Sequence, residues 1–174
     1  MDLRFVGGMS NYRRLRVPGA SYFFTVNLAR RGDDLLTRRV DLLRAAYAET
    51  VRTMPVRCDA MVVLPDHLHA VWTLPPGDVA YSERWRQMKH RFSRALADER
   101  PRSASKMRKR ERGIWQRRFW EHTIRDEADW VAHVRYVWMN PVKHGFVARA
   151  SDWTFSSIHG AIREGRVGED WEEA

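Results

Sequence analysis

Apolar and polar positions along this chain alternate with two periods, and each change of period marks a new element. Tyr22-Phe23-Phe24-Thr25-Val26-Asn27 is β-branched and aromatic and runs into an Arg/Gly/Asp turn, which predicts a strand. From 38 to 54, Val40, Leu43, Tyr47, Val51 and Met54 recur at spacings of three and four, the period of an amphipathic helix, and Pro55 ends it. Arg57 to Leu64 reads as a second strand, with Pro65-Asp66 as a tight break. His69 to Leu74 follows as a third strand, paired with the second in a hairpin and stopped by Pro75-Pro76-Gly77. Trp85, Met88, Phe92 and Leu96 then line one stripe of a helix over about 81 to 97.

Residues 100–113 carry seven basic side chains and almost nothing apolar, so they read as a solvated loop that also has the charge to lie along DNA. Trp115 to Ile124 reads as a fourth strand. Asp126, with Asp129 three residues on, is placed to cap a helix running to about Met139, and Asn140-Pro141 closes it because a residue before proline disfavours the helical region. The order β-α-β-β-α-β-α predicts an α+β, ferredoxin-like βαββαβ fold: a four-stranded antiparallel sheet with two helices on one face. The added C-terminal helix is expected to pack beside that sheet. Residues 1–11 read as a flexible leader, 12–160 as one domain, and 161–174 as a tail with an acidic end.

Composition narrows the classes. No stretch approaches the roughly 18 consecutive apolar residues of a membrane span, and the start lacks the layout of a secretory signal. Cys58 is the only cysteine, which excludes an internal disulfide and fits a reducing cytoplasm; a buried apolar role suits it better than a reactive thiol. Lys+Arg 31 against Asp+Glu 22 leaves a net charge of +9, which favours a polyanionic partner. Only four of the basic residues are lysine, so a general bias toward arginine competes with that reading.

The chemistry starts at His67-Leu68-His69, whose two imidazoles project from one face of a strand. Such a pair suits a metal held over a phosphate, although an isolated pair is more often incidental. In the last helix His133, Tyr136 and Asn140 stand at i, i+3 and i+7 and share a face. If that face meets the histidine pair, a phenol, an amide oxygen and two imidazoles converge, and a tyrosine hydroxyl can act as an in-line nucleophile on phosphorus. A free phenol has a pKa near 10, so a metal or base must assist it. From spacing alone Tyr136 is equally a core aromatic, Asn140 a helix-terminal residue and His133 a solvated or capping one.

Several runs in order carry a resemblance. They are Tyr22 to Asn27, Val63-Leu64-Pro65-Asp66-His67-Leu68-His69, Trp115-Gln116-Arg117-Arg118-Phe119-Trp120-Glu121-His122, Tyr136-Val137-Trp138-Met139-Asn140-Pro141-Val142-Lys143-His144-Gly145, and Asp152-Trp153. From Tyr12 to about His159 the chain resembles the REP-associated tyrosine transposases, within the HUH single-tyrosine nuclease superfamily. The long basic segment 100–113 departs from that pattern. The resemblance implies a metal site of His67, His69 and Asn140 that takes Mg²⁺ or Mn²⁺, and a nucleophilic Tyr136. It implies single-stranded DNA substrates near palindromic hairpins, a 5′-phosphotyrosine intermediate and a monomer, a dimer being open.

Arg13, Arg14, Arg117, Arg118 and Lys143 are candidate phosphate contacts, and Trp115, Trp120 and Trp138 are either core residues or platforms for unpaired bases. The acidic tail could occupy the same groove as DNA. The expected function is a cytoplasmic, nucleoid-associated DNA endonuclease and strand-transferase. A domesticated hairpin-binding protein without transposition is the alternative. An RNA-binding ferredoxin-like module is a third, but its readers use paired sheet aromatics and need neither His-x-His nor a helical tyrosine.

Overall fold

The computed structural model describes residues 16–99, 113–168 and Trp171. Its elements are β1 (Ser21–Asn27), α1 (Leu35–Arg38), α2 (Val40–Thr53), β2 (Arg57–Val63), β3 (His67–Thr73), α3 (Tyr81–Glu99), β4 (Trp120–Thr123), α4 (Glu127–Lys143), a 3-10 turn (Ala150–Asp152) and α5 (Ile158–Arg163). The strands form one antiparallel sheet in the order β2-β3-β1-β4, the arrangement expected of a βαββαβ chain.

β1 is central, and its period-2 alternation feeds two cores rather than one. Tyr22, Phe24 and Val26 face one side with Leu68, Ala70 and Trp72 of β3, against Leu43 and Ala46 of α2 and Trp85, Met88 and Phe92 of α3. Trp72 and Trp85 stack there with ring centroids 4.0 Å apart. On the opposite face Phe23, Ala60, Val62 and Val71 meet Val134, Val137 and Trp138 of α4 and Ile158 and Ala161 of α5. So α4 covers the second face of the sheet; it does not lie beside it. An apolar ring on each face of β1 requires a cover on each face, since truncating one buried aromatic costs about 3–5 kcal/mol.

Three boundaries differ from the sequence expectation, the first being that β3 opens at His67 and not at His69. The fourth strand begins at Trp120; Trp115 makes only an isolated bridge to Leu28, because the polar run Gln116-Arg117-Arg118 interrupts the ladder. The last helix does not stop at Met139 but passes through Pro141 to Lys143. Proline removes one backbone donor, and this close to the end the helix tolerates that. The turn is closed by the His144 N–H on the Asn140 carbonyl (3.0 Å), and Gly145, at φ +71°, then reverses the chain. At the other end the Asp126 carboxylate accepts the Asp129 N–H at 2.8 Å, as the capping pattern predicts. Among the described residues no helix is long and apolar enough to cross a membrane. The leader, Arg13, Arg14, basic residues 100–112 and most of the acidic end of the tail lie outside the described residues.

Candidate active site

His67 and His69 open β3 and point to the second face, opposite Asn27 and Thr25 of β1. Their ring centroids are 5.0 Å apart. The His67 Nδ1–H donates to an Asp66 carboxylate oxygen at 2.6 Å. His69 Nδ1 is joined to the Thr25 hydroxyl at 2.9 Å. With each Nδ1 committed, each ring has Nε2 left for a ligand, and partners of this kind fix the orientation of metal-binding imidazoles. His69 is buried, and its pKa is pushed down to about 3, first by that burial and then by the positive charges of His67, His144 and Lys143. It is therefore the neutral imidazole that a cation requires.

α4 brings Tyr136 to this pair. Its ring centroid lies 5.4 Å from that of His69 and 5.6 Å from that of Phe23. It remains 38% exposed, so the hydroxyl-bearing ring is open to a large substrate. Lys143 Nζ sits 5.1 Å from the same ring, which puts a positive charge beside it. Asn140, one helical turn beyond Tyr136, is buried, and neither its Oδ1 nor its Nδ2 has a hydrogen-bond partner. An orphaned buried amide costs about 1–3 kcal/mol, which an incoming ligand for its oxygen would offset. Two imidazoles and an amide oxygen suit a divalent cation such as Mn²⁺ or Mg²⁺.

Three features were not foreseen. His144 caps α4 in helical conformation, i+4 from Asn140, and its ring lies 5.4 Å from that of His67; a helix ended at Asn140-Pro141 leaves that spacing unread. Phe146 then stacks on His144. The third is a grouping of His122, Asp129 and His133, the only set of three or more His, Cys, Asp or Glu side chains among the described residues with ligand atoms close enough for a metal. Its atoms already serve one another. Asp129 Oδ2 accepts His122 Nε2–H at 2.9 Å, the Arg125 N–H at 3.0 Å and Arg125 Nε–H at 3.1 Å. His133 Nδ1 lies 3.0 Å from Oδ1 and 2.8 Å from the Asp129 carbonyl. Burial opposes ionisation of Asp129, but the His122 and Arg125 hydrogen bonds outweigh it and hold the carboxyl well below the usual range. The Arg125 guanidinium thus supplies the positive charge a cation would bring, and the cluster clamps β4 to the first turn of α4.

Of the candidate phosphate contacts, Arg117 and Arg118 are exposed just before β4, and Lys143 is at the site itself. Trp138 is a core residue, and Trp115 packs on Phe92.

No family model matches the chain. It is 44% identical over 163 residues to the REP-associated tyrosine transposase of Escherichia coli strain K12, spanning 94% of this chain and 91% of that protein. The solved structure of a REP-associated tyrosine transposase bound to a REP hairpin superposes with a TM-score of 0.83 at 44% identity, over 94% of this chain and 91% of that one. With that identity over nearly its whole length, the chain belongs to the REP-associated tyrosine transposases, a family of tyrosine transposases.

Proposed function

We propose that this protein cuts and rejoins single-stranded DNA beside palindromic hairpins, with Tyr136 as the nucleophile and His67, His69 and Asn140 as the holders of a divalent cation. One observation carries the reading: the rings of His67, His69 and Tyr136 meet on an open face, one helical turn from a buried amide that has no partner. The solved relative bound to a REP hairpin supports the choice of DNA.

The Tyr136 oxygen attacks the scissile phosphorus in line with the 3′ oxygen. A phenolic O–P bond forms, the P–O3′ bond breaks, the phenol proton is lost to solvent and the departing 3′ oxygen takes up a proton. The products are a 5′-phosphotyrosine and a free 3′-OH, and attack by a 3′-OH on that ester reverses the step and rejoins the strand. When bound, the cation supplies Lewis-acid stabilisation of charge on the non-bridging oxygens. His67 and His69 are pre-oriented for it by Asp66 and Thr25. Lys143 places its ammonium where negative charge gathers, and exposed Arg117 and Arg118 contact the flanking phosphates. Arg13 and Arg14 are assigned the same part.

The test is cleavage of a hairpin-bearing strand with Mn²⁺ or Mg²⁺. Replacing both histidines, His67→Ala with His69→Ala, should abolish cutting while hairpin affinity stays within a few-fold, because phosphate and base contacts supply most of the affinity. Cleavage at wild-type rate in EDTA would contradict the proposal. Tight hairpin binding by wild type without cleavage under any metal would leave a binding protein only.

A further inference from the structure

Five large hydrophobic side chains are exposed among the described residues: Val17, Trp120, Val131, Tyr136 and Phe146. Scattered exposed apolar residues are ordinary and need no account. Here, however, all three aromatic ones lie at a single place. Trp120 is opposite Thr25 on β1, and Thr25 is opposite His69 on β3, so Trp120 and His69 share one row across the sheet. At roughly 4.8 Å per strand spacing, that row puts Trp120 about 10 Å from His69. The indole packs by one edge on Phe23 (centroids 5.5 Å) and lies nearly parallel to His122 (7° between planes), yet remains 44% exposed.

Phe146 stands beyond the other histidine. It stacks on His144 (5.9 Å) and on Trp153 (5.3 Å), with His144 in turn against His67, and it is 46% exposed. The two open rings therefore bracket His67, His69 and Tyr136. Trp120 is held by Phe23 and His122, and Phe146 by His144 and Trp153, which limits the entropy lost on stacking. Exposed Arg117 and Arg118 precede Trp120, and exposed Lys143 precedes His144, so each platform has basic side chains beside it.

We propose that Trp120 and Phe146 are the two stacking platforms for unpaired nucleobases on either side of the scissile phosphate. The occupant is single-stranded nucleic acid: flat π faces with adjacent cations suit bases joined by phosphates, and stacking of this kind tolerates any base sequence. The assignment rests on the reading of the site as one that handles single-stranded DNA. Trp120 and Phe146 hold the strand extended across the histidine row, and a phosphate of the short segment strung between the two stacked bases is thereby presented to Tyr136.

The test uses the full-length protein and a twelve-nucleotide oligothymidylate, measured by fluorescence anisotropy. Trp120→Leu and Phe146→Leu keep apolar bulk but remove the π face, and each should weaken binding by about 5- to 150-fold. Trp120→Phe and Phe146→Tyr keep a ring and should bind within about threefold of wild type. A blunt duplex stem should be bound equally by all five proteins. As a measurement on wild type alone, 2-aminopurine placed singly along the unpaired flank of a hairpin strand, whose stem fixes the register, should be quenched at two positions separated by an unquenched segment. Leucine variants that bind as wild type does, ring-retaining variants that lose as much as leucine, or no quenched position at all would each overturn the proposal. Covalent adduct formation on a hairpin strand is read separately. If wild type forms none while the leucine variants still lose the oligothymidylate, the platforms stand and the cleavage reading falls.

Discussion

The side-chain amide of Asn140 is buried without a hydrogen-bond partner in the helix turn after Tyr136. A residue kept for packing would do better as leucine, of similar volume and without the desolvation cost. Asn140→Leu should therefore be at least as stable as wild type in urea melts with EDTA present, and more stable by about 1 kcal/mol or more if the orphaned amide is fully relieved. It should also bind Mn²⁺ at least about tenfold more weakly by calorimetry. A loss of stability together with unchanged Mn²⁺ affinity would make Asn140 a structural residue. Cys58 makes a second test at this scale. Packed at the margin of the first core, its thiol is pushed from its ordinary value near 9 up to about 11, mainly by burial. Since the folded value lies above the unfolded one, this thiol's contribution to stability is present below about pH 9 and is lost as pH rises toward 11. At pH 8 the thiolate fraction is lower by about a hundredfold than in the unfolded chain, so iodoacetamide should label Cys58 slowly until urea opens the protein. Fast labelling of the native protein would contradict this. The histidine pair and Tyr136 were legible in the sequence because periods of 2 and 3.6 put each on a known face. His144 was not, because it reaches His67 only if α4 continues through Pro141, and the sequence ended that helix at Met139.

Among the elements, α4 decides the site, since it carries Tyr136, Asn140 and Lys143. Its first turn is fixed twice, by the Asp126 cap and by the Asp129 carboxylate shared among His122, Arg125 and His133. Asp126→Ala should cost about 1 kcal/mol in a urea melt, within the 0.5–2 usual for a lost cap, and should lower cleavage by less than about fivefold. A variant with unchanged stability would mean that the Asp129 cluster alone holds the turn. The start of α4 was legible because Asp126 and Asp129 stand at cap spacing. Its end was not, since a rule about residues before proline is outweighed where the final turn is buried on one side and closed by His144 and Gly145. β4 was overextended for a related reason. Trp115 and Phe119 have the side chains of a strand, but the charged residues between them keep the backbone out of the ladder.

At the scale of the whole molecule, the order of elements announced the sheet, and the sheet's own order, β2-β3-β1-β4, follows from the chain's hairpin and crossovers. Which face α4 would cover was hidden because Tyr22, Phe23 and Phe24 are all aromatic, and a strand with rings on both sides does not say which side belongs to which helix. Once two helices fill the first face, the second is left for α4 and α5, with the histidine row of the candidate site at its open end. On the proposed reading, the basic charge of the chain, +9, has a strand of DNA to meet there. The central claim is that Tyr136 becomes covalently joined to that strand. The direct measurement is to incubate the full-length protein with a hairpin-bearing single strand and Mn²⁺, isolate the SDS-resistant adduct and locate the modified residue by mass spectrometry. The 5′-phosphoryl group should be on Tyr136 and on none of Tyr12, Tyr22, Tyr47 or Tyr81, and Tyr136→Phe, which keeps the ring and deletes only its oxygen, should fold, bind the hairpin and form no adduct. An adduct in the phenylalanine variant, or a label on another tyrosine, would contradict the account.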